Sequence, residues 1–179
     1  MPVTENHLSI SVLAPSRPQL ALDLVKAIRE RGCEVEDCRT APAGDRLAAS
    51  LIVSGNWSAL GKLETALPGI AQKLELQVQF TRCGQRPQNP EFRAYAVDVV
   101  APQQQDLLLH LLEFFKKHGV DVAEIVTQKY QSSYTGAGMY SAQMVLHVPV
   151  NEHPQKLREA FMDLCDELNA DGMLDPIKT

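Results

Sequence analysis

Two periods of apolar and polar residues alternate along the chain. Residues 8–12 place leucine, isoleucine and valine at every second position, which is the period of a strand with one buried face. Residues 20–28 then carry leucine or isoleucine at every fourth position, which is typical of an amphipathic helix. The first thirty residues therefore predict a strand followed by a helix that packs on it.

The same succession returns later in the chain, at an offset of 87 residues. The Ala-Pro pair at residues 14–15 is repeated at residues 101–102, and Gly32 is matched by Gly119. The offset grows by about seven after the second matched strand, because the loop at residues 132–138 is longer than its counterpart in the first copy. An internal repeat of this kind indicates two copies of one folding unit.

Each copy is predicted to contain strand, helix, strand, strand, helix and strand. In the first copy the predicted elements span residues 7–13, 18–31, 34–41, 46–54, 58–72 and 74–82. In the second copy they span residues 93–100, 103–117, 120–130, 139–150, 153–169 and 173–178. The order βαββαβ predicts an α+β fold of two ferredoxin-like repeats with antiparallel sheets, and we expect a pseudo-two-fold pair.

The segment between the two copies differs in composition from both. Residues 83–92 contain a glycine, two prolines and mostly polar side chains, which is typical of a linker. The predicted organisation is therefore a first domain at residues 1–82, a linker at 83–92 and a second domain at 93–179.

Charge and composition exclude several classes of protein. The net charge is −5, with 17 basic and 22 acidic residues, whereas proteins that bind nucleic acid directly usually carry a basic surface. Residues 1–82 contain nine basic and nine acidic residues, so the excess of acidic residues lies in the second half of the chain. No apolar run approaches the length of a membrane span, and the four cysteines are too few for a disulfide scaffold. We expect a cytoplasmic protein.

Catalytic and metal-binding patterns are not evident. The five histidines do not pair with carboxylates at ligand spacing, and Cys165 falls within an apolar helical stripe, which favours a packed thiol. Trp57 either anchors a partner or staples its loop to the sheet, and the staple is the favoured hypothesis. We predict no catalytic residue, no metal site and no cofactor.

Three segments carry a resemblance to a known family, at residues 32–39, 54–60 and 164–172. Together with the βαββαβ pattern and the Arg17-Pro18 pair before the first helix, each copy resembles an ACT domain. Two such copies in tandem resemble the glycine cleavage system transcriptional repressor family. The resemblance covers nearly the whole chain. It implies a non-enzymatic regulator that senses a small amino acid such as glycine and restrains a LysR-type activator by protein contact, without binding DNA itself.

The loop between the first strand and the first helix is the effector site that the resemblance implies. Backbone N–H groups at a helix start suit a carboxylate, and Glu34 is expected nearby to receive an ammonium group. Ser16 or Arg17 is expected at the helix cap, with Pro18 in the first turn. A capped helix with a solvated acid is an equally open interpretation. The implied effector-binding residues are Ala14, Ser16, Arg17, Pro18, Gln19, Leu20 and Glu34.

The loop departs from the family pattern in both copies. Amino-acid-binding ACT domains typically carry Asp-Arg-Pro-Gly where residues 16–19 read Ser-Arg-Pro-Gln, so the glycine that lets a ligand approach the backbone is replaced. The corresponding second site would be formed by Pro102, Gln103, Gln104 and Asp121. Whether either copy binds an effector stays open at this point.

The predicted hairpin loop at residues 132–138 carries exposed aromatic residues nearby, and we interpret Tyr130, Tyr134 and Tyr140 as partner contacts. A mobile hairpin without a partner is the other interpretation. The sequence also leaves a homodimer open. The alternative function is an ACT-type regulatory subunit that binds and controls a metabolic enzyme, which would share the same ligand-dependent docking mechanism.

Overall fold

The computed structural model describes residues 7–84 and 90–177. The chain divides into two compact units, residues 1–87 and residues 88–179. Each unit has the order βαββαβ and one four-stranded antiparallel sheet, which confirms the predicted fold class. Residues 85–89 of the predicted linker lie outside the described residues, and the predicted domain limits stay a prediction.

The first repeat arranges its strands in the order β2-β3-β1-β4. Its elements are β1 (His7–Pro15), α1 (Leu20–Arg29), β2 (Glu34–Ala43), β3 (Arg46–Ser54), α2 (Trp57–Leu74) and β4 (Gln77–Cys83). Both helices cover the sheet face that presents Leu8, Ile10 and Val12, all of them buried. The other face of the sheet carries the intervening polar residues of β1, as the alternation predicts.

The second repeat has the equivalent order β6-β7-β5-β8. Its elements are β5 (Phe92–Pro102), α3 (Leu107–Lys117), β6 (Asp121–Gln131), β7 (Gly138–Pro149), α4 (Pro154–Glu167) and β8 (Asp171–Pro176). Phe115 of α3 and Phe161 of α4 stack within its core with ring centroids 5.9 Å apart. Residue 178, the end of the last predicted strand, lies outside the described residues.

The first helix of each repeat, α1 or α3, begins later than predicted. The N-cap residues are Gln19, with φ of 66°, and Asp106, with φ of 61°, and neither side chain caps its helix. The predicted cap at Ser16 or Arg17, with Pro18 in the first turn, is therefore wrong. A left-handed residue ends the loop instead, at the position where the family pattern has glycine. The residues that precede Gln19 and Asp106 therefore belong to the loops and not to the helices.

The boundary between α2 and β4 also differs from the prediction. The alternation of Leu74, Leu76 and Val78 predicts one strand from residue 74, but α2 continues to Leu74 and β4 begins at Gln77. Glu75, with φ of 56°, ends the helix by donating its N–H to Gln72. Leu74, before the turn, and Leu76, after it, both pack on the core. Their spacing of two residues is therefore the same as in a strand with one buried face.

Aromatic residues are divided unequally between the repeats. Trp57 is the single tryptophan and lies in the first repeat, whereas all four tyrosines lie in the second. Trp57 is 79% exposed at the start of α2, so the prediction that it staples its loop to the sheet is wrong. The loop is fixed instead by Asn56, whose side chain accepts a hydrogen bond from the N–H of Ala59 at 2.8 Å.

Within residues 7–84 and 90–177, no helix is both long and apolar enough to cross a membrane.

Candidate functional site

The loop predicted to bind an effector in the first repeat connects β1 to α1. Ala14 and Leu20 at its two ends are buried, while the residues between them are exposed. Arg17 extends toward Asp23 of α1, with 3.8 Å between Nη2 and Oδ2. Both side chains are about two-fifths exposed (42% and 41%), so this ion pair contributes little to stability, and the guanidinium remains accessible.

Glu34 does not lie near this loop within its own repeat, contrary to the prediction. The register pairs Glu34 and His7 with the same residue, Ser54, at one end of the sheet. The loop follows Pro15, which pairs with Arg46 at the opposite end. Eight residues of a strand separate the two positions, which is about 26 Å. β2 begins at the end of the sheet opposite the loop, so its first residue lies far from the loop whatever the order of the strands.

Asp121 is separated from the second loop in the same way. It pairs with His147, while Pro102 pairs with Met139 at the other end of the sheet. The Asp121 carboxylate lies beside the His147 imidazole, with 3.8 Å between Nδ1 and Oδ2. Within a repeat, neither predicted acid can contact the same small ligand as the loop.

An open groove of about 900 Å³ lies beside the predicted second site. Gln103, Gln104 and Asp106 form its loop side. The Gln104 amide donates a hydrogen bond to the carbonyl oxygen of Leu168 at 2.8 Å, and the N–H of Gln103 donates to the Gly138 carbonyl at 2.9 Å. These bonds fix the loop against the end of α4 and the start of β7. The groove therefore has an ordered polar rim.

The remaining walls of the groove come from the helix and the sheet. Leu108, Leu109 and Leu112 of α3 form an apolar side. Lys129 and Tyr140 are cross-strand neighbours on β6 and β7 and point toward the helices. Sequence reasoning did not identify Lys129. Lys129 and Tyr140 can be recognised as neighbours only when the register of β6 with β7 is known.

The groove contains both signs of charge. Among the described residues, none forms an ion pair with Lys129. The side chain of Asp106 accepts no hydrogen bond from the helix that it precedes. A lysine ammonium attracts a carboxylate, and an aspartate attracts an ammonium group. The leucines beside them offer apolar contact. This combination suits a small zwitterion more than a single ion.

The corresponding cleft in the first repeat is almost closed. It has a volume of about 10 Å³ and is lined by apolar residues of α1 and by Leu47 of β3. The register aligns Pro42 and Leu47 with Lys129 and Tyr140, since Thr40 pairs with Ala49 as Thr127 pairs with Ala142. At these two positions the first repeat thus has neither the lysine nor the tyrosine that line the groove of the second.

The three tyrosines predicted as partner contacts do not share one surface. Tyr140 lines the groove on the helix side of the sheet. Tyr130 pairs with Met139, so it points to the opposite face. Tyr134 lies in the hairpin loop and is 97% exposed. Each can meet a different neighbour.

The four cysteines are all free and differ in exposure. Burial raises the pKa of the Cys33 thiol, and burial with the nearby Asp166 and Asp171 raises that of Cys165 to about 11. Cys38 is exposed. Since the thiolate is the reactive form, neither buried thiol fits a nucleophile.

Alkylation is expected to follow this order. At neutral pH, iodoacetamide should modify Cys38 first and should leave Cys33 and Cys165 unmodified until urea unfolds the protein. Mass spectrometry of peptides after timed exposure measures the order. Modification of Cys165 in the folded protein at the rate of Cys38 would contradict the assignment.

Among residues 7–84 and 90–177, no three histidine, cysteine or acidic side chains converge as the ligands of a metal ion would.

Comparison with known proteins supports the resemblance. The family model "ACT domain" matches residues 6–81. The glycine cleavage system transcriptional repressor of Escherichia coli (strain K12) is 26% identical over 174 residues, covering 97% of this chain and 92% of that protein. The corresponding repressor of Shigella flexneri gives the same values.

Two solved structures share the fold over nearly the whole chain. An unknown protein from Galdieria sulphuraria has a TM-score of 0.76 at 21% identity, covering 97% of this chain and 99% of that one. A putative glycine cleavage system transcriptional repressor has a TM-score of 0.67 at 23% identity, covering 97% and 98%. The first repeat therefore matches the ACT domain, and the chain with its repeated βαββαβ units is similar along nearly its whole length to the glycine cleavage system transcriptional repressors.

Proposed function

We propose that this chain is a non-enzymatic regulator whose second repeat binds a small amino acid in the groove beside Lys129. The observation that carries the proposal is the placement of Lys129, Asp106 and Tyr140 around one open groove. Regulation then results from the change that the ligand makes to a surface that a partner protein contacts.

The chemistry of the groove supports an α-amino acid. The ligand carboxylate would pair with the Lys129 ammonium and accept a hydrogen bond from the Tyr140 hydroxyl. The ligand ammonium would pair with Asp106. Glycine needs only these groups, while a longer amino acid would also contact Leu108 and Leu112. The groove is wide enough for either.

The partner and the regulated genes are proposed from the curated relatives. Those proteins are named repressors of the glycine cleavage system. We infer the same role here, with glycine as the effector and a LysR-type activator as the protein partner. The net charge of −5 supports contact with a protein rather than with DNA. The predicted cytoplasmic location is part of this proposal.

Thermal denaturation of the full chain with and without millimolar glycine tests the site. Ligand binding to the folded state stabilises it by RT ln(1 + [L]/Kd), about 2.7 kcal/mol at a hundredfold excess over Kd. The wild-type protein should show a higher Tm with glycine, and Lys129→Ala and Asp106→Asn should lose this rise. Alanine, serine and leucine in parallel define the ligand class.

Arg17→Ala is the matched control, because it removes a cation from the equivalent loop of the first repeat. This variant should keep the full rise in Tm. A rise that disappears in Arg17→Ala and persists in Lys129→Ala would place the effector in the first repeat. No rise with any amino acid, checked by calorimetry, would refute effector binding altogether.

A further inference from the structure

The sheet of the second repeat has one face that lies opposite to its helices. Side chains of β5 alternate between the two faces, and Val97 and Val99 pack in the core beneath α3 and α4. Residues paired across an antiparallel sheet point to the same side, so the register assigns every strand residue to one face. The face that carries Ala96, Asp98 and Val100 is termed the open face.

Charge is divided between the two faces of this sheet. Arg93 and Lys129 are the lysine and arginine residues of the four strands, and they pair with Val148 and Tyr140 on the helix side. The acidic residues of the same strands all belong to the open face, and two lie on β6, two on β8 and one on β5. They are Asp121, Glu124, Asp171, Asp175 and Asp98.

Apolar side chains occupy much of the rest of the open face. Val126 of β6 and Met173 of β8 are 64% and 57% exposed. Val100 and Val145, on the inner strands β5 and β7, are half-buried. Contiguous exposed apolar area with a polar rim marks contact surfaces more often than scattered apolar residues do. The open face therefore combines apolar area with acids along both outer strands.

The first repeat does not share this combination. At the offset of 87 residues, Ser11 stands in place of Asp98 and Arg39 in place of Val126. Gln79 pairs with Ser11 as Met173 pairs with Asp98, so a polar amide replaces the methionine. The acidic and apolar character thus belongs to the second repeat and is not required by the fold.

We propose that the open face of the second repeat docks an amphipathic helix of a partner protein, whose apolar stripe is bordered by lysine or arginine on both sides. The outer strands β6 and β8 are three strand spacings apart, about 14 Å, and a helix with its side chains is about 10–12 Å wide. A helix that runs along the inner strands therefore covers Val100 and Val145 with its apolar stripe. Its basic margins then lie beside the acids of β6 and β8.

Asp98 lies beneath the middle of such a helix. Its Oδ1 accepts a hydrogen bond from the neutral amide of Gln143 at 2.9 Å, and among the described residues no cation forms an ion pair with it. Asp175 differs, because Arg158 of α4 donates to its Oδ1 at 3.0 Å. Asp98 therefore offers an uncompensated charge to a cation of the partner.

This inference deepens the proposed function and rests on it, since a regulator of this kind acts through a protein partner. Fluorescence anisotropy of a labelled synthetic peptide with the full chain tests it. The probe is a 16-residue helix-forming peptide with leucines on one face and lysines along both margins. It should bind, and its Kd should rise with salt. A peptide of the same composition in scrambled order, and one with glutamate at each lysine position, should bind at least tenfold more weakly.

Variants of the open face test the same contact from the protein side. Asp98→Asn removes the central charge, and Met173→Gln supplies the residue of the first repeat. Each should raise the Kd of the leucine–lysine peptide at least fivefold. Asp163→Asn and Met162→Gln make the same exchanges at exposed positions of α4, on the other side of the sheet, and should leave the Kd within twofold of the wild-type value.

The rise in Tm with glycine, recorded for the same variants, separates this inference from effector binding. Asp98→Asn and Met173→Gln should keep the rise, because neither residue lines the groove, and circular dichroism shows that they fold. Absence of the rise in the wild-type protein would refute effector binding and leave the docking face standing if the peptide binds. No binding of the leucine–lysine peptide, equal binding of the scrambled peptide, or equal losses in the α4 variants would overturn the docking face.

Discussion

Replacing Gly172 with alanine is expected to destabilise the second repeat by about 3 kcal/mol, because overpacking a close contact forces buried groups apart. A methyl group at Gly172 would overlap Sγ of Cys165 and lie 2.9 Å and 3.0 Å from Cε1 and Cζ of Phe161. Both side chains belong to α4 and are buried. Gly172 therefore lets α4 pack directly on β8. Urea unfolding followed by tyrosine fluorescence measures the change.

Two variants separate this contact from a general effect of glycine replacement. Gly69 lies on the exposed side of α2 with no atom near a would-be methyl group, so Gly69→Ala should be neutral or stabilising by up to about 1 kcal/mol. In a Cys165→Ala background the closest clash is removed, and Gly172→Ala should cost clearly less. Additive effects of the two substitutions would contradict direct contact.

Glu64→Gln is expected to lower the free energy of unfolding by about 2 kcal/mol at pH 7. Arg82 of β4 donates two hydrogen bonds to Glu64 of α2, Nε to Oε1 at 2.7 Å and Nη2 to Oε2 at 2.8 Å. The side chains are only 20% and 29% exposed. Paired charge-assisted hydrogen bonds of this kind are among the stronger surface interactions, and a glutamine offers a single neutral acceptor oxygen in place of the two charged ones.

The effect of this substitution should depend on pH. Hydrogen bonds from Arg82 hold the pKa of Glu64 below its usual value. Stability from a carboxyl group with a lowered pKa is present above its unfolded pKa, about 4.3, and is lost as pH falls through the folded value. The difference between wild type and Glu64→Gln should therefore be large at pH 7 and should shrink below about pH 4.

Glu30→Gln is the control for this prediction. Glu30 lies 3.0 Å from Nη1 of Arg31 but its side chain is 71% exposed, so its replacement should change stability by less than about 0.5 kcal/mol. Urea midpoints at several pH values, followed by circular dichroism, give both comparisons. Equal losses for the two variants at pH 7 would show that the geometry of the Arg82 pair is unimportant.

The fold could be predicted from the sequence because its signals are local. The apolar alternation of β1 and the fourfold spacing of α1 each arise within about ten residues, and the repeat doubles the evidence. The first residue of each helix is harder to predict. Gln19 and Asp106 adopt a left-handed conformation, which is uncommon for residues other than glycine. Tertiary packing tolerates these residues where propensity favours glycine.

The candidate site could be predicted only in part. The loop at Gln103 and Gln104 was found from its position after a strand, but Lys129 and Tyr140 join it through the register of β6 with β7. That register is set by the way the hairpin closes between Gln131 and Gly138, which the predicted loop at residues 132–138 does not fix to the residue. The sequence also does not show that Glu34 and the loop after Pro15 lie at opposite ends of the same sheet.

The unequal division of aromatic residues gives each repeat its own optical signal. Tryptophan fluorescence can be excited separately from tyrosine, so Trp57 reports on the first repeat and the near-ultraviolet signal of the tyrosines reports on the second. Unfolding curves recorded at both signals would coincide if the two cores melt together and would separate if they melt apart. The cooperativity of the whole chain can thus be measured without attaching a label.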